Sequence, residues 1–179
     1  QREGREIIDV TPERAGWTHV GFRALRLKAG ESETLDTGTR ELCVVVLSGK
    51  VDVHAGGQAF EGLGTRTNVF DDRSPDAVYA PSGQRVTIRA NSDAEVALCS
   101  APCDDAPRAV KRLDAASMRR STRGQGSNTR FICDVLPHDD PTAAHLLVVE
   151  VRTPAGHSSS YPPHKHDTDA IPAESFLEE

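Results

Sequence analysis

Aromatic side chains are scarce in this sequence of 179 residues, at 4% of the chain. Aliphatic side chains must therefore supply the core, and Val, Leu, Ile and Ala occur mostly in short runs. Such a composition favours β structure over an aromatic-rich binding surface. No pattern typical of an amphipathic helix stands out.

Positive charge is also in short supply, since the formal net charge is −6 and the isoelectric point about 5.6. No basic stripe is present, which argues against nucleic acid as a partner. No apolar run approaches the roughly 20 residues that span a bilayer, and residues 1–6 do not resemble a signal peptide. The sequence therefore predicts a cytoplasmic protein without a membrane partner.

The four cysteines lack the spacing of a metal or redox motif. Cys99 and Cys103 have three residues between them, whereas zinc and thiol-redox motifs usually have two. We expect the thiols, including those of Cys43 and Cys133, to be idle in a reducing compartment. A disulfide is the alternative.

Short apolar runs alternate with clusters of Gly, Pro, Asp and Ser about every ten residues, which is typical of a β-sandwich or barrel. Residues 41–47 form a continuous apolar run and are predicted to be a central strand. A short helical turn is expected at 115–118. The predicted strands are 21–27, 41–47, 51–54, 77–80, 85–90, 95–99, 130–135 and 145–151.

A stretch rich in Pro, Asp and Ala at 101–112 indicates a linker or a crossing strap between two modules. We place the first module at 1–110 and the second at 111–179. The second has only about three predicted strands, too few to close a barrel. We therefore expect the chain to be a fragment of a longer protein, with a disordered remainder of the second module as the alternative. A fragment is expected to be inactive on its own and weak in metal binding.

Two histidines near the end of the sequence form a candidate metal site. On an extended strand the side chains of His164 and His166 would point to one face and could share an ion. A carboxylate from Glu178 or Glu179 would complete a set suited to zinc, iron, manganese or nickel. The alternative is that both histidines are solvated loop residues.

The stretches 153–167 and 174–179 resemble the 5-deoxy-glucuronate isomerase family of bacterial inositol breakdown. Residues 15–22, and 123–126 together with Arg130, are similar to that family as well. The resemblance implies an all-β, two-cupin (bicupin) β-barrel architecture whose second barrel is incomplete in this chain. The family is related to the uronate ketol-isomerases of pectin breakdown.

The resemblance also implies a ligand set. His164, His166 and Glu179 would hold a divalent metal ion, with Glu178 as the alternative carboxylate and a further histidine beyond the end of this chain. In the first module, residues 36–38 and Val86 occupy the positions of ligands. That module is therefore expected to be a cupin without metal ligands.

Four arginines cluster before and within the predicted strand 130–135: Arg119, Arg120, Arg123 and Arg130. Arginine binds carboxylates through a two-pronged fork, and a uronate substrate carries a carboxylate. We therefore predict that Arg123 and Arg130 bind substrate. The alternative is a solvated basic loop.

The family resemblance implies isomerisation of 5-deoxy-D-glucuronate to 5-dehydro-2-deoxy-D-gluconate in myo-inositol degradation. A proton moves between adjacent carbons through an enediolate, whose charge a divalent ion stabilises. The catalytic base is not identified by the sequence. A cupin dioxygenase and a non-enzymatic sugar-acid-binding protein are the alternatives. The expected partner is a small sugar acid, and pairing of edge strands between subunits would make a homo-oligomer.

Overall fold

The computed structural model describes residues 5–104, 106–160 and 164–176. Within these ranges the chain is built almost wholly of antiparallel strands, with one four-residue helix, α1 (Pro12–Ala15). The strands are β1 (Glu6–Val10), β2 (Gly21–Leu27), β3 (Ser32–Asp36), β4 (Arg40–Ser48), β5 (Val51–Ala55), β6 (Gln58–Leu63), β7 (Ala77–Ala80), β8 (Arg85–Ala90), β9 (Ala94–Pro102), β10 (Lys111–Leu113), β11 (Arg119–Arg123), β12 (Arg130–Leu136) and β13 (Val148–Arg152).

The described strands form three sheets arranged as three layers. A six-stranded sheet has the order β1-β2-β9-β4-β7-β10, and a four-stranded sheet has the order β3-β8-β5-β6. These two sheets share one hydrophobic core and make a sandwich. The third sheet, β11-β12-β13, packs on the other face of the six-stranded sheet through a second core.

Strand β4 shows why these residues fold in this way. It lies between β9 and β7, and Leu42, Val44 and Val46 point into the core of the sandwich. The alternate residues Cys43 and Val45 point into the second core. A strand buried on both faces needs a continuous apolar run rather than an alternating one.

A buried carboxylate joins β4 to the segment that precedes β13. Glu41 on β4 is fully buried and accepts a 2.8 Å hydrogen bond from the Tyr79 hydroxyl. It also accepts hydrogen bonds from three successive backbone N–H groups, those of Ala144, His145 and Leu146, at 2.8, 2.7 and 2.6 Å. A buried charge is tolerated only when it is satisfied in this way.

The all-β class is confirmed, and most predicted strands are found within a few residues of their predicted ends. The prediction for 145–151 was wrong at its start: β13 begins at Val148, because the N–H groups of His145 and Leu146 bind Glu41. The helical turn predicted at 115–118 is a 3-10 turn, Ala115–Ser117.

Several elements were missed because their exposed faces are too polar to read as strands, among them β1, β3 and β11. The predicted linker 101–112 is partly wrong, since β9 extends to Pro102 and β10 begins at Lys111. Strand β10 pairs with β7 in the six-stranded sheet. The module boundary between residues 110 and 111 stays a prediction. Among the described residues, no helix is long and apolar enough to cross a membrane.

Candidate metal centre and anion site

The two predicted histidine ligands lie side by side. The ring centroids of His164 and His166 are 5.0 Å apart, with the ring planes at 88° to each other. The residues are not in a strand, so the strand expected from their spacing was wrong. The loop nevertheless brings both imidazoles close enough for one ion to contact both.

Hydrogen bonds orient each ring. Nδ1 of His166 is 2.8 Å from the Ser175 carbonyl oxygen, and Nδ1 of His164 is 3.0 Å from the Ser160 hydroxyl. A carbonyl oxygen only accepts, so in the neutral ring Nδ1 of His166 carries the proton and Nε2 carries the lone pair. Such an outer partner is the usual way in which a protein presents an imidazole to a metal ion.

The loop that carries the histidines is closed by Glu174. Its carboxylate accepts hydrogen bonds from the backbone N–H groups of Asp167 and Thr168, at 2.5 and 2.8 Å. It also lies 3.4 Å from the Lys165 ammonium. The Thr168 N–H, followed by that of Asp167 and by Lys165, lowers the pKa of Glu174. Glu174 is therefore a loop-closing anion at neutral pH.

An open cleft beside the histidine pair is lined by residues distant in the sequence. Trp17, between α1 and β2, lies in its wall together with Ser160 and Phe176. Trp17 is the one tryptophan of the chain. Sequence reasoning did not assign Trp17 to the site, although the stretch around it was part of the family resemblance. Trp17 lies far from His164 in the sequence, so the sequence gives no sign that both line the same cleft.

Two histidines alone do not make a metal site. In the ranges that the structure describes, no group of three or more His, Cys, Asp or Glu side chains comes together to hold an ion. The predicted third ligand, Glu179, and its alternative, Glu178, lie outside the described residues. The oriented imidazoles fit the donor chemistry of a divalent ion, and the ligand set stays a prediction.

The predicted substrate arginines face each other across the hairpin of β11 and β12. Arg123 and Arg130 are cross-strand partners at its end. Arg130 donates a 3.1 Å hydrogen bond to the Asn128 carbonyl oxygen, and neither arginine forms an ion pair with a described residue. Like charges placed directly opposite destabilise a sheet. An anion between them would remove that cost.

The other two arginines of the cluster have carboxylate partners. Arg119 forms ion pairs with Asp134 and Asp139, at 2.7 and 3.2 Å. Arg120 pairs with Asp72 on the loop between β6 and β7. The arginine cluster therefore divides into two that hold the sheet and its neighbouring loops together and two that are available to a ligand.

The turn of the arginine hairpin touches the segment that leads to the histidines. Ser158 donates a 2.8 Å backbone hydrogen bond to Ser127, and Nδ1 of His157 is 2.9 Å from the Thr129 carbonyl oxygen. Gly124 makes this turn possible, since its φ is +77° and a Cβ atom would lie 2.1 Å from the Asn128 carbonyl oxygen. The hairpin and the histidine segment thus form one substructure.

An all-β sandwich with a third, three-stranded sheet packed on one of its faces is the fold of the described residues. The chain belongs to the KduI/IolB family, whose profile matches residues 1–179. The family expected from the sequence is therefore confirmed.

Two curated proteins that are similar to this chain have the same name. The chain is 45% identical over 175 residues to a 5-deoxy-glucuronate isomerase of Halalkalibacterium halodurans, covering 97% of this chain and 64% of that protein. It is 43% identical over 173 residues to a 5-deoxy-glucuronate isomerase of Bacillus subtilis strain 168, with the same coverage. The chain thus spans a little under two thirds of the length of these relatives.

A solved structure supports the fold directly. The crystal structure of an IolB-like protein from Salmonella typhimurium LT2 is similar, with a TM-score of 0.89 and 38% sequence identity. The match covers 97% of this chain and 65% of that one. The layers described above are therefore arranged as in that protein.

Proposed function

We propose that the chain belongs to a metal-dependent aldose–ketose isomerase that converts 5-deoxy-D-glucuronate to 5-dehydro-2-deoxy-D-gluconate in inositol catabolism. The observation that carries the proposal is the 45% identity to a 5-deoxy-glucuronate isomerase over 97% of the chain. The adjacent imidazoles and the paired arginines supply groups that this reaction needs.

In the proposed site, His164 and His166 hold the divalent ion together with Glu179. Two nitrogens and one carboxylate oxygen suit zinc, iron, manganese or nickel. When bound, the ion supplies Lewis-acid stabilisation of the negative charge that develops on the substrate oxygens. The hydrogen bonds from His164 to Ser160 and from His166 to Ser175 keep the rings in place.

Arg123 and Arg130 are proposed to bind the substrate carboxylate, which orients the sugar acid. The two residues are cross-strand partners, and no described carboxylate forms an ion pair with either. A forked, charged hydrogen bond contributes about 1.5–3 kcal/mol, so the pair can select a uronate over a neutral sugar.

Glu174 is not proposed as the base that transfers the proton. A base for this reaction works best with a pKa near the working pH. The backbone N–H groups of Thr168 and Asp167 move the pKa of Glu174 in the opposite direction, below its usual value of 4.5. Lys165 is engaged by Asp167 and Glu174 and is assigned no chemical role.

The test is an isomerase assay on the full-length protein with 5-deoxy-glucuronate, before and after chelation. We expect turnover that chelation abolishes and a divalent ion restores. Full turnover by protein shown to be free of metal would contradict the proposed role of the ion. An oxygen electrode is run in parallel, since an isomerase consumes no oxygen and a dioxygenase does. Calorimetric binding of the sugar acid without turnover would favour a binding protein.

A further inference from the structure

A cavity of about 230 Å³ opens at one end of the sandwich, between α1 and the ends of β2, β3, β4 and β9. Leu35 of the four-stranded sheet and Leu42 and Leu98 of the six-stranded sheet form its apolar wall. Pockets for drug-sized molecules have about 300–1,000 Å³, so this cavity suits a smaller ligand.

The cavity exists because the inward side chains become small at this end of the strands. Gly21, Leu42 and Ser100 are register partners on β2, β4 and β9 and form one row of the sheet. Two of the three positions therefore carry little or no side chain. A Cβ atom at Gly21 would lie 2.6 Å from the Ser100 hydroxyl oxygen, so a side chain there would displace that hydroxyl and reduce the cavity.

Arg40 lies at the rim of this cavity and is half-buried. Its Nε donates to the Ser100 hydroxyl at 3.2 Å, and Nη2 donates to the carbonyl oxygens of Ser100, at 3.1 Å, and His19. These acceptors are all neutral. In the described part of the chain, no carboxylate lies within 4.0 Å of this guanidinium, and Nη1 makes no hydrogen bond.

Neighbouring charges are already matched. Arg23, which also lines the cavity, pairs with Glu6, Asp9 and Glu33 at 3.5–3.6 Å. Asp36 pairs with Arg85 at 3.4 Å. Two further acids line the cavity. Glu13 on α1 is attracted by the Arg40 charge but forms no ion pair with it within 4.0 Å among the described contacts. Glu41 is satisfied by Tyr79 and by backbone N–H groups.

A fixed, half-buried cation with an apolar wall beside it is complementary to a small amphipathic anion. The neutral hydrogen bonds hold the guanidinium in place, and Nη1 is left to donate to a ligand. We propose that this cavity binds a short-chain aliphatic carboxylate, with its carboxylate on Arg40 and its hydrocarbon tail on Leu35, Leu42 and Leu98.

The proposed ligand differs from the substrate proposed for the histidine site. A polyhydroxylated sugar acid would leave its hydroxyl groups unpaired against three leucines, which is costly. A short alkyl chain gains from the same surface. The two sites are therefore expected to bind independently, so chelation should leave the carboxylate site intact.

The experiment is calorimetric titration of the full-length protein with butyrate, with butyramide as the uncharged probe. We expect saturable binding of butyrate that persists after chelation, and at least about tenfold weaker binding of butyramide, since a hydrogen bond to a charged group is lost. Arg40→Gln should weaken butyrate binding to the same degree. Arg89→Gln, which removes an exposed cation outside the cavity, should bind as the unmodified protein does.

Leu35→Trp provides a second test that leaves Arg40 in place. Leu35 is partly exposed, and a larger ring there would fill the cavity, so butyrate binding should be lost while thermal unfolding still shows a folded protein. This variant decides the matter if Arg40→Gln fails to fold. The proposal is overturned by absence of saturable butyrate binding, by equal binding of butyramide, by an equal effect of Arg89→Gln, or by unchanged binding in folded Leu35→Trp.

Discussion

Arg66 and Glu150 form a two-pronged ion pair that joins the loop after β6 to strand β13. Nη1 and Nη2 of Arg66 donate to the two carboxylate oxygens of Glu150 at 2.7 and 2.5 Å. The Arg66 side chain is only 1% exposed, and its Nε also donates to the Leu47 carbonyl oxygen at 2.8 Å. The Glu150 side chain is 28% exposed, so the pair that holds the loop after β6 to the edge strand β13 is shielded from water mainly on its Arg66 side.

Breaking this pair should destabilise the protein more than loss of a surface pair would. Glu150→Gln leaves the Arg66 charge buried without its partner, and about 3 kcal/mol of unfolding free energy should be lost. Denaturant unfolding of the full-length protein measures this change. Glu95→Gln, which removes the exposed pair with Arg26, is the matched control and should change stability by less than about 1 kcal/mol. Equal effects of the two substitutions would contradict the assigned role.

Glu41 is a second carboxylate whose substitution should destabilise the protein. Glu41→Gln places an amide NH₂ group where the carboxylate accepts backbone N–H groups, so about 2–4 kcal/mol should be lost. The control is Glu61→Gln on exposed β6, expected to stay within about 0.5 kcal/mol. Melting temperature and denaturant midpoint should fall together for Glu41→Gln. No shift in either would show that Glu41 is not an anchor.

Replacing one histidine of the pair should weaken metal binding. For His166→Ala we expect a loss of more than about tenfold in affinity for Zn²⁺, since even an outer hydrogen-bond partner of a ligand is worth about 10–100-fold. Calorimetry with Zn²⁺ on the full-length protein gives the value. The control is His138→Ala, which removes an exposed histidine that does not line the cleft of His164 and His166. Unchanged affinity in His166→Ala would remove this residue from the ligand set.

The paired arginines should act on substrate binding. Arg123→Gln is expected to raise KM about tenfold with little change in kcat, because a carboxylate remote from the reacting carbons is held equally in ground and transition states. Steady-state kinetics with 5-deoxy-glucuronate test this. Arg89→Gln, at an exposed position of β8, is the control, since Arg89 also forms no ion pair with a described residue. A fall in kcat alone would contradict a binding role.

The thiols of the six-stranded sheet should be unreactive in the folded protein. All four cysteines are free, and burial raises the pKa of Cys99 to about 12 and that of Cys43 well above 9.0. The thiolate is the nucleophile, so at pH 8 both should resist iodoacetamide until the protein is unfolded. For Cys43 and Cys99, raising the pH from 7 to 9 should increase the rate of alkylation strongly only when the protein is unfolded in denaturant. Mass spectrometry of native and unfolded samples distinguishes the sites, and rapid native labelling of Cys43 would contradict this.

Some features of the structure could be predicted from residues that are close together in the sequence. The run from Leu42 to Leu47 predicts a central strand because only a strand covered on both faces is apolar at every position. The spacing of His164 and His166 likewise predicts adjacent rings, and they are adjacent although their backbone is not a strand. In both cases the signal lies in residues that are close together along the chain.

The sequence by itself therefore determined the all-β class, the central strands and the histidine pair. Tertiary structure alone decided that Glu41 would bind backbone N–H groups more than 100 residues away and so delay the start of β13 until Val148. It also decided which arginines are neutralised, since Arg120 meets Asp72 whereas Arg123 meets Arg130. The reason is physical: a charge acts on whatever folding brings within a few ångströms, and sequence spacing does not encode that distance for residues in different sheets.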